Sequence, residues 1–178
     1  FGDWDKQNMD LLPFLQEMYR VLKPSGTLIM FYDLWKITPL KNMMEASKFK
    51  QVRYIEWIKA NPVPINSEIN YLTNAREVAL TAVKKSKPKF NSKYDNGIYR
   101  YPIYHGKDRF HPTQKPLKLF EELIRKHSNE GDLVVDCFLG SGTTAVAALN
   151  TKRNFTGCEI DNGTYIKMKE RVEKYEDG

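Results

Sequence analysis

The stretch from Asp136 to Ala145, DCFLGSGTTA, constrains this chain more than any other. It continues the apolar run DLVV, so it reads as a buried strand entering a glycine turn and then a helix. Gly140, Gly142 and Ala145 satisfy G-x-G-x-x-[GA], a spacing that lets the backbone turn tightly and approach a ligand. Glu159 comes 19 positions after Gly140, at the end of the next strand-like run. An acid at that place can accept both hydroxyls of a ribose. The pattern is that of a nucleotide-type cofactor loop. On this fingerprint alone a dinucleotide oxidoreductase is one reading, and a plain tight turn with surface acids is another.

Asp136 separates the cofactors. A carboxylate at the strand end repels a pyrophosphate and attracts a cation. S-adenosylmethionine carries a sulfonium, an ammonium, a ribose and an adenine. A strand-end acid, a glycine loop and a second acid suit that molecule.

The remaining pattern is that of an α/β chain. Leu11, Phe14, Leu15, Met18, Val21 and Leu22 predict an amphipathic helix over about 8–22, ended by KPSG. TLIMFY reads as a strand, 38–48 as a weaker helix, and VRYIEWI as a strand stopped by NPVP. EVALTAV is a third strand, and residues 85–110 read as an irregular, basic and aromatic insertion. Leu117, Phe120, Leu123, Ile124 and His127 share a helical face, DLVVDCF is a fourth strand and NFTGCEI a fifth. A helix runs from Thr143 to about Asn150, and Asp161 caps a last helix lined by Tyr165, Met168, Val172 and Tyr175. This alternation predicts a mainly parallel sheet, with 52–58 and 77–83 as a candidate antiparallel pair.

At 178 residues one domain is expected, long enough to bury about 70% of its unfolded surface. No apolar run reaches the roughly 18 residues of a membrane span. Cys137 and Cys158 sit in strand-like runs and read as buried thiols of a reducing compartment, which points to the cytoplasm. The scattered His and Cys give no zinc spacing. A net charge of +6 favours an anionic partner, of which nucleic acid is the commonest.

HPTQKP, from His111 to Pro116, precedes the helix that feeds the Asp136 strand. Its prolines hold the backbone extended, and the first turn of the helix offers free N–H groups to an anion such as a carboxylate. Thr113 and Gln114 add polar contacts. An ordinary Pro-capped helix start is the plainer alternative.

Taken together, HPTQKP, DCFLGSGTT and a strand ending in Glu closely resemble the amino-methyltransferases that modify DNA, in particular the β-group enzymes that make N6-methyladenine or N4-methylcytosine. VLKPSGTLIMF, EWIKANPVP, AREVAL and GDWD extend the likeness over nearly the whole chain. The resemblance implies a Rossmann-like S-adenosylmethionine-dependent fold of seven strands in permuted order, with the cofactor region, about 111–178, placed last. It assigns cofactor binding to His111, Thr113, Gln114, Lys115, Asp136, Cys137, Phe138, Gly140, Ser141, Gly142, Thr143, Thr144, Glu159 and Ile160. The family usually has Pro where this chain has Cys137. The family's catalytic motif, (Asp/Asn/Ser)-Pro-Pro-(Tyr/Phe/Trp), is absent from this chain. It is expected upstream of Phe1 with two further strands, because the chain opens on FGDWDK without Met.

The resemblance places Asn61, Pro62 and Pro64 in a target-base pocket, where a simple strand terminator is the alternative. Lys84, Lys85, Lys87, Lys89 and Lys93 around Phe90 and Tyr94 suit phosphate contact and base stacking. Trp4, Trp35 and Trp57 read as packing residues, and Met43-Met44 as core or a protein contact. The short insertion predicts a short recognition site, with a homodimer as one way to widen it. The expected activity is methylation of adenine N6 in DNA, of restriction–modification or phage type, because GDWD followed by an amphipathic helix resembles the adenine branch. Cytosine N4 methylation and a catalytically inactive DNA-binding module are the alternatives.

Overall fold

The structure is a computed structural model that describes residues 10–64, 72–85, 87–107, 109–111 and 113–176. GDWD and Trp4 lie outside the described residues. The elements are α1 (Leu12–Val21), β1 (Thr27–Tyr32), a 3-10 turn (Leu34–Lys36), α2 (Ile37–Ala46), β2 (Lys50–Lys59), β3 (Arg76–Val83) and β4 (Ile98–Tyr101). They continue with α3 (Leu117–His127), β5 (Leu133–Asp136), α4 (Thr143–Asn150), β6 (Asn154–Gly157) and α5 (Asn162–Glu176). Strand order is β1-β3-β2-β4 in one sheet and β5-β6 in the other. The expected parallel pairing holds for β5 and β6, whereas β1 and β3 run antiparallel. The chain divides into two compact units, residues 1–56 with 77–89, and residues 57–76 with 90–178.

In the first unit β1 lies along β3 in the register Thr27↔Val83 to Tyr32↔Val78. β3 is buried without a break from Val78 to Val83, so its apolar run is continuous rather than alternating. Leu11 at the N-cap of α1, Leu15 within it, Leu40 and Met44 of α2, and Phe49 close over Leu80 and Ala82. Leu40 and Met44 are one helical turn apart, which explains why the weak period there was enough to fold. Met44 is therefore core. Trp35 is not: it is 88% exposed on the 3-10 turn, whose start is held by the Trp35 N–H donating to Asp33 Oδ1 at 2.9 Å.

In the second unit α4 brings Ala145, Val146, Ala147 and Ala148, all fully buried, against α3. Small residues let two helices approach closely. Glu121 of α3 is buried there and accepts from Asn150 Nδ2 at 2.9 Å and Lys118 Nζ at 3.0 Å. Burial raises its carboxyl pKa, and these hydrogen bonds outweigh burial and hold it below the usual range. β5, expected to be buried, leaves Leu133 53% and Val135 49% exposed. Among the described residues it has one strand partner, β6, and one side of its pleat is uncovered.

The stretch read as irregular contains β4. Four residues between turns are too few to show a period, and side chains hold them. Trp57 Nε1 donates to Tyr101 O at 2.8 Å. The Tyr99 hydroxyl donates to Asp95 Oδ2 at 2.7 Å and the Tyr101 hydroxyl to Glu122 Oε2 at 2.5 Å. Lys126 of α3 donates to both of those carboxylates, at 2.6 and 2.5 Å. Burial, with the neighbouring carboxylate, pushes Tyr101 up to about 12 and Tyr99 up further.

Asn91 fixes the start of this stretch to the C-terminus of α3. Its amide nitrogen donates to Arg125 O, Ser128 O and Asn129 Oδ1 at 3.0, 2.7 and 3.0 Å. It thereby satisfies carbonyls that a helix end leaves open. Asn91→Asp keeps the shape and turns the donor into an acceptor facing three others. It should lower stability in urea titrations by about 1–3 kcal/mol.

His127 packs on Phe90, with ring centroids 5.1 Å apart. Burial lowers its pKa to about 4, with Asp95 opposing and Lys126 adding to the shift. The unfolded chain therefore binds a proton on this group below about pH 6.5 while the folded one does not. Stability should fall as pH drops from about 6.5 to about 4, by about 2–3 kcal/mol, and then level off for this group. His127→Leu should flatten that slope in a pH series of urea titrations.

Candidate functional site: the turn between β5 and α4

The ends of β5 and β6 lie side by side, with Asp136 opposite Gly157 as the last pair in register. Past that pair the chain turns. Asp136 folds back over the turn: Oδ1 accepts from Phe138 N at 2.9 Å and Oδ2 from Thr144 Oγ1 at 2.5 Å. Gly140 and Gly142 take φ of +50° and +74°, a region costly to residues with a Cβ. At Gly142 there is also no room, since a Cβ would stand 2.6 Å from Met168 Cγ. α5 supplies a further clamp that the sequence reading missed. Arg171, 7% exposed, donates from Nη1 to Ser141 O at 2.7 Å. It lies one turn from Met168 and beside Val172, so the apolar face of α5 carried the signal as an arginine on its inward side.

Glu159 closes the other side. Its Oε2 accepts from Gly140 N at 2.7 Å and its Oε1 from Asp161 N at 2.9 Å. Each oxygen retains a lone pair for a further donor. Asp136 and Glu159 thus stand at the same edge, at the C-terminal ends of neighbouring parallel strands, where open α/β sheets bind ligands.

HPTQKP meets the loop at this edge. A Cβ on Gly140 would lie 3.8 Å from His111 Cε1, and Thr143 Oγ1 donates to Lys115 O at 3.4 Å. Thr113 N and Oγ1 stand 3.3 and 3.0 Å from His111 Nδ1, which assigns acceptor character to that nitrogen and the ring proton to Nε2. Partial burial lowers the His111 pKa, against Glu159, which raises it. Gln114 is 3% exposed, and neither polar atom of its amide has a partner among the described residues. The Lys115 ammonium lies 5.9 Å from the Trp57 ring centroid. Phe138 and Ile160 flank the acids and are 49% and 89% exposed. Cys137 is half-buried, but Cys158, expected to be buried, is exposed, because β6 ends at Gly157.

The residues expected at the target divide by what they already hold. Asn61 Oδ1 accepts from Ile103 N at 2.6 Å, and Pro62 and Pro64 follow the end of β2. Lys84 donates to Arg20 O at 3.0 Å and lies 5.0 Å over the Tyr19 ring, so its ammonium is turned into the fold. The Lys89 N–H donates to Ser25 O. Phe90 is packed on His127, whereas Tyr94 is 86% exposed. Lys85, Lys87 and Lys93 are exposed.

Two acids, a left-handed glycine turn clamped on its outer side, exposed apolar side chains and an unpartnered buried amide fit a cationic nucleoside better than a pyrophosphate. Among the described residues no group of three His, Cys, Asp or Glu could hold a metal ion. No helix among them is long and apolar enough to cross a membrane. Fold and turn define the class as a Rossmann-like α/β protein with a nucleotide-type cofactor cradle at its strand ends. A family model described as DNA methylase matches residues 3–170. The Type II methyltransferase M2.DpnII of Streptococcus pneumoniae is 33% identical over 97% of this chain and 72% of its own length. A solved complex of M1.HpyAVI with SAM is 34% identical, covering 93% of this chain and 84% of that one, with a TM-score of 0.78. The cytosine-N4-specific PvuII DNA methyltransferase shares the fold at 21% identity, covering 94% of this chain and 73% of its own, with a TM-score of 0.78. The chain belongs to the DNA amino-methyltransferase family.

Gly142→Ala places a methyl group against Met168 in a left-handed backbone, and should cost about 1–3 kcal/mol in thermal or urea unfolding. Met168→Ala in the same chain should recover the steric part and leave the backbone part.

Proposed function

We propose that this protein binds S-adenosylmethionine at the β5–α4 turn and transfers its methyl group to the N6 amine of adenine in DNA. The observation that carries this reading is the convergence of HPTQKP and the glycine loop on one edge, with His111 against Gly140 and Thr143 bonded to Lys115 O. When bound, S-adenosylmethionine supplies an electrophilic methyl group on a sulfonium. Asp136 faces the cationic part, as its sign requires. Glu159 takes the ribose hydroxyls on its remaining lone pairs, and Phe138 and Ile160 cover the adenine. Thr113 and Gln114, with the first turn of α3, receive the carboxylate. Thr113 orients His111 through Nδ1, which keeps the ring neutral and its Nε2 proton toward the loop.

DNA is the expected partner. The net charge of +6 supports an anionic ligand, and the exposed Lys85, Lys87, Lys93 and Tyr94 are suited to phosphates and unstacked bases. Adenine is preferred to cytosine because GDWD, followed by the amphipathic α1, resembles the adenine branch of the family. Such an enzyme modifies DNA in the cytoplasm, in a restriction–modification or phage setting.

Nucleoside mass spectrometry on DNA from cells expressing the full reading frame tests this directly. N6-methyladenine should appear. N4-methylcytosine in its place would overturn the adenine reading and keep the family. Neither mark would favour a DNA-binding module without activity.

A further inference from the structure

Cys137 and Cys158 are direct neighbours across the two strands that carry the acids. The last pair in register is Asp136 opposite Gly157, and each cysteine is the next residue of its chain. Cys158 N donates to Asp136 O at 3.1 Å, the last bond of the ladder, and the two cysteines directly follow its last pair. The Cys158 thiol donates to Cys137 O at 3.4 Å, which puts its sulfur against the neighbouring cysteine. Opposed residues of neighbouring strands have Cα atoms about 5 Å apart, inside the range of about 4.4–6.8 Å that a disulfide spans. Cys158 is exposed and Cys137 half-buried, so an oxidant reaches Cys158 first. Cys137 supplies the second thiol.

We propose that Cys137 and Cys158 form a reversible disulfide that controls cofactor binding, an inference that rests on the S-adenosylmethionine reading of the turn. The Cys158 thiolate attacks one sulfur of a low-molecular-weight disulfide, a mixed disulfide forms, and one small thiol leaves. Cys137 loses its proton and attacks the Cys158 sulfur, the Sγ–Sγ bond forms, and the second small thiol leaves. Two cysteine thiols are oxidised, the small disulfide is reduced to two thiols, and the two protons end on them. Closure draws the Cys158 sulfur off the Cys137 carbonyl and pulls together the residues next to Asp136 and Glu159. Those carboxylates set the Phe138 and Gly140 amides at 2.9 and 2.7 Å, so the cradle shifts with them. Displacements of about 1 Å are enough to cost large factors at such sites.

The test is to treat the full-length protein with oxidised glutathione, alkylate it, and map its cysteine peptides. S-adenosylmethionine is then titrated before and after oxidation. The peptides of Cys137 and Cys158 should be found linked. Affinity should fall at least tenfold and return with a thiol reductant, while Cys158→Ser should bind alike before and after. Absence of the link, or a link with unchanged affinity, overturns the proposal. Reduced protein that binds no S-adenosylmethionine overturns the cofactor reading and the control built on it, while the peptide map still decides whether the pair forms.

Discussion

The cofactor unit depends on a turn held from opposite sides. On one side Glu159, two residues past β6, accepts the Gly140 N–H. On the other, Arg171 of α5 donates to the Ser141 carbonyl, one residue further on. Both are hydrogen bonds to a charged group, worth about 1.5–3 kcal/mol each, and together they hold the turn in the left-handed conformation that its glycines allow. Met168 and Val172 then fill the space a side chain at position 142 would need, so the loop is packed as well as bonded. The turn does not need a ligand to hold its shape, and this fixes where the acids point before any ligand arrives. Preorganisation of that kind lowers the cost of binding.

Much of this was legible in the sequence because the decisive features are local. A glycine pair after an apolar run, an acid at each strand end and a Pro-flanked helix start lie within short windows. The helical face of α3 was legible from its period for the same reason, whereas of the face read on α5 Met168 is buried and Tyr165 and Tyr175 are exposed. What escaped reading is what depends on partners far along the chain. β4 is four residues long and held by Trp57, Glu122 and Lys126, none of them close in sequence. Lys84 looked like one of a row of phosphate ligands, yet its ammonium reaches a carbonyl 64 residues away. Phe90 looked like a stacking platform and instead meets His127. Trp35, expected to pack, is exposed, and no local pattern shows that the turn after β1 carries it outward.

The stretch 85–110, read as an insertion for target recognition, is built into the fold at its base. Asn91 caps α3, and the Asp95, Tyr99, Tyr101, Glu122 and Lys126 network ties β4 to the same helix. Tyr94, between these anchors, is free of the packing that holds its neighbours. Tyr94 and Lys93 are exposed on a base that is hydrogen-bonded to α3. The same helix follows HPTQKP directly and is bonded at its end to Asn91.

The most direct test of this account is a calorimetric titration of the protein with S-adenosylmethionine and, separately, with NAD, repeated on Asp136→Asn. The account requires binding of S-adenosylmethionine, no heat with NAD, and a loss of at least tenfold in affinity when the Asp136 charge is removed. Binding of NAD, or an Asp136→Asn chain that holds S-adenosylmethionine as tightly as the parent, would contradict it.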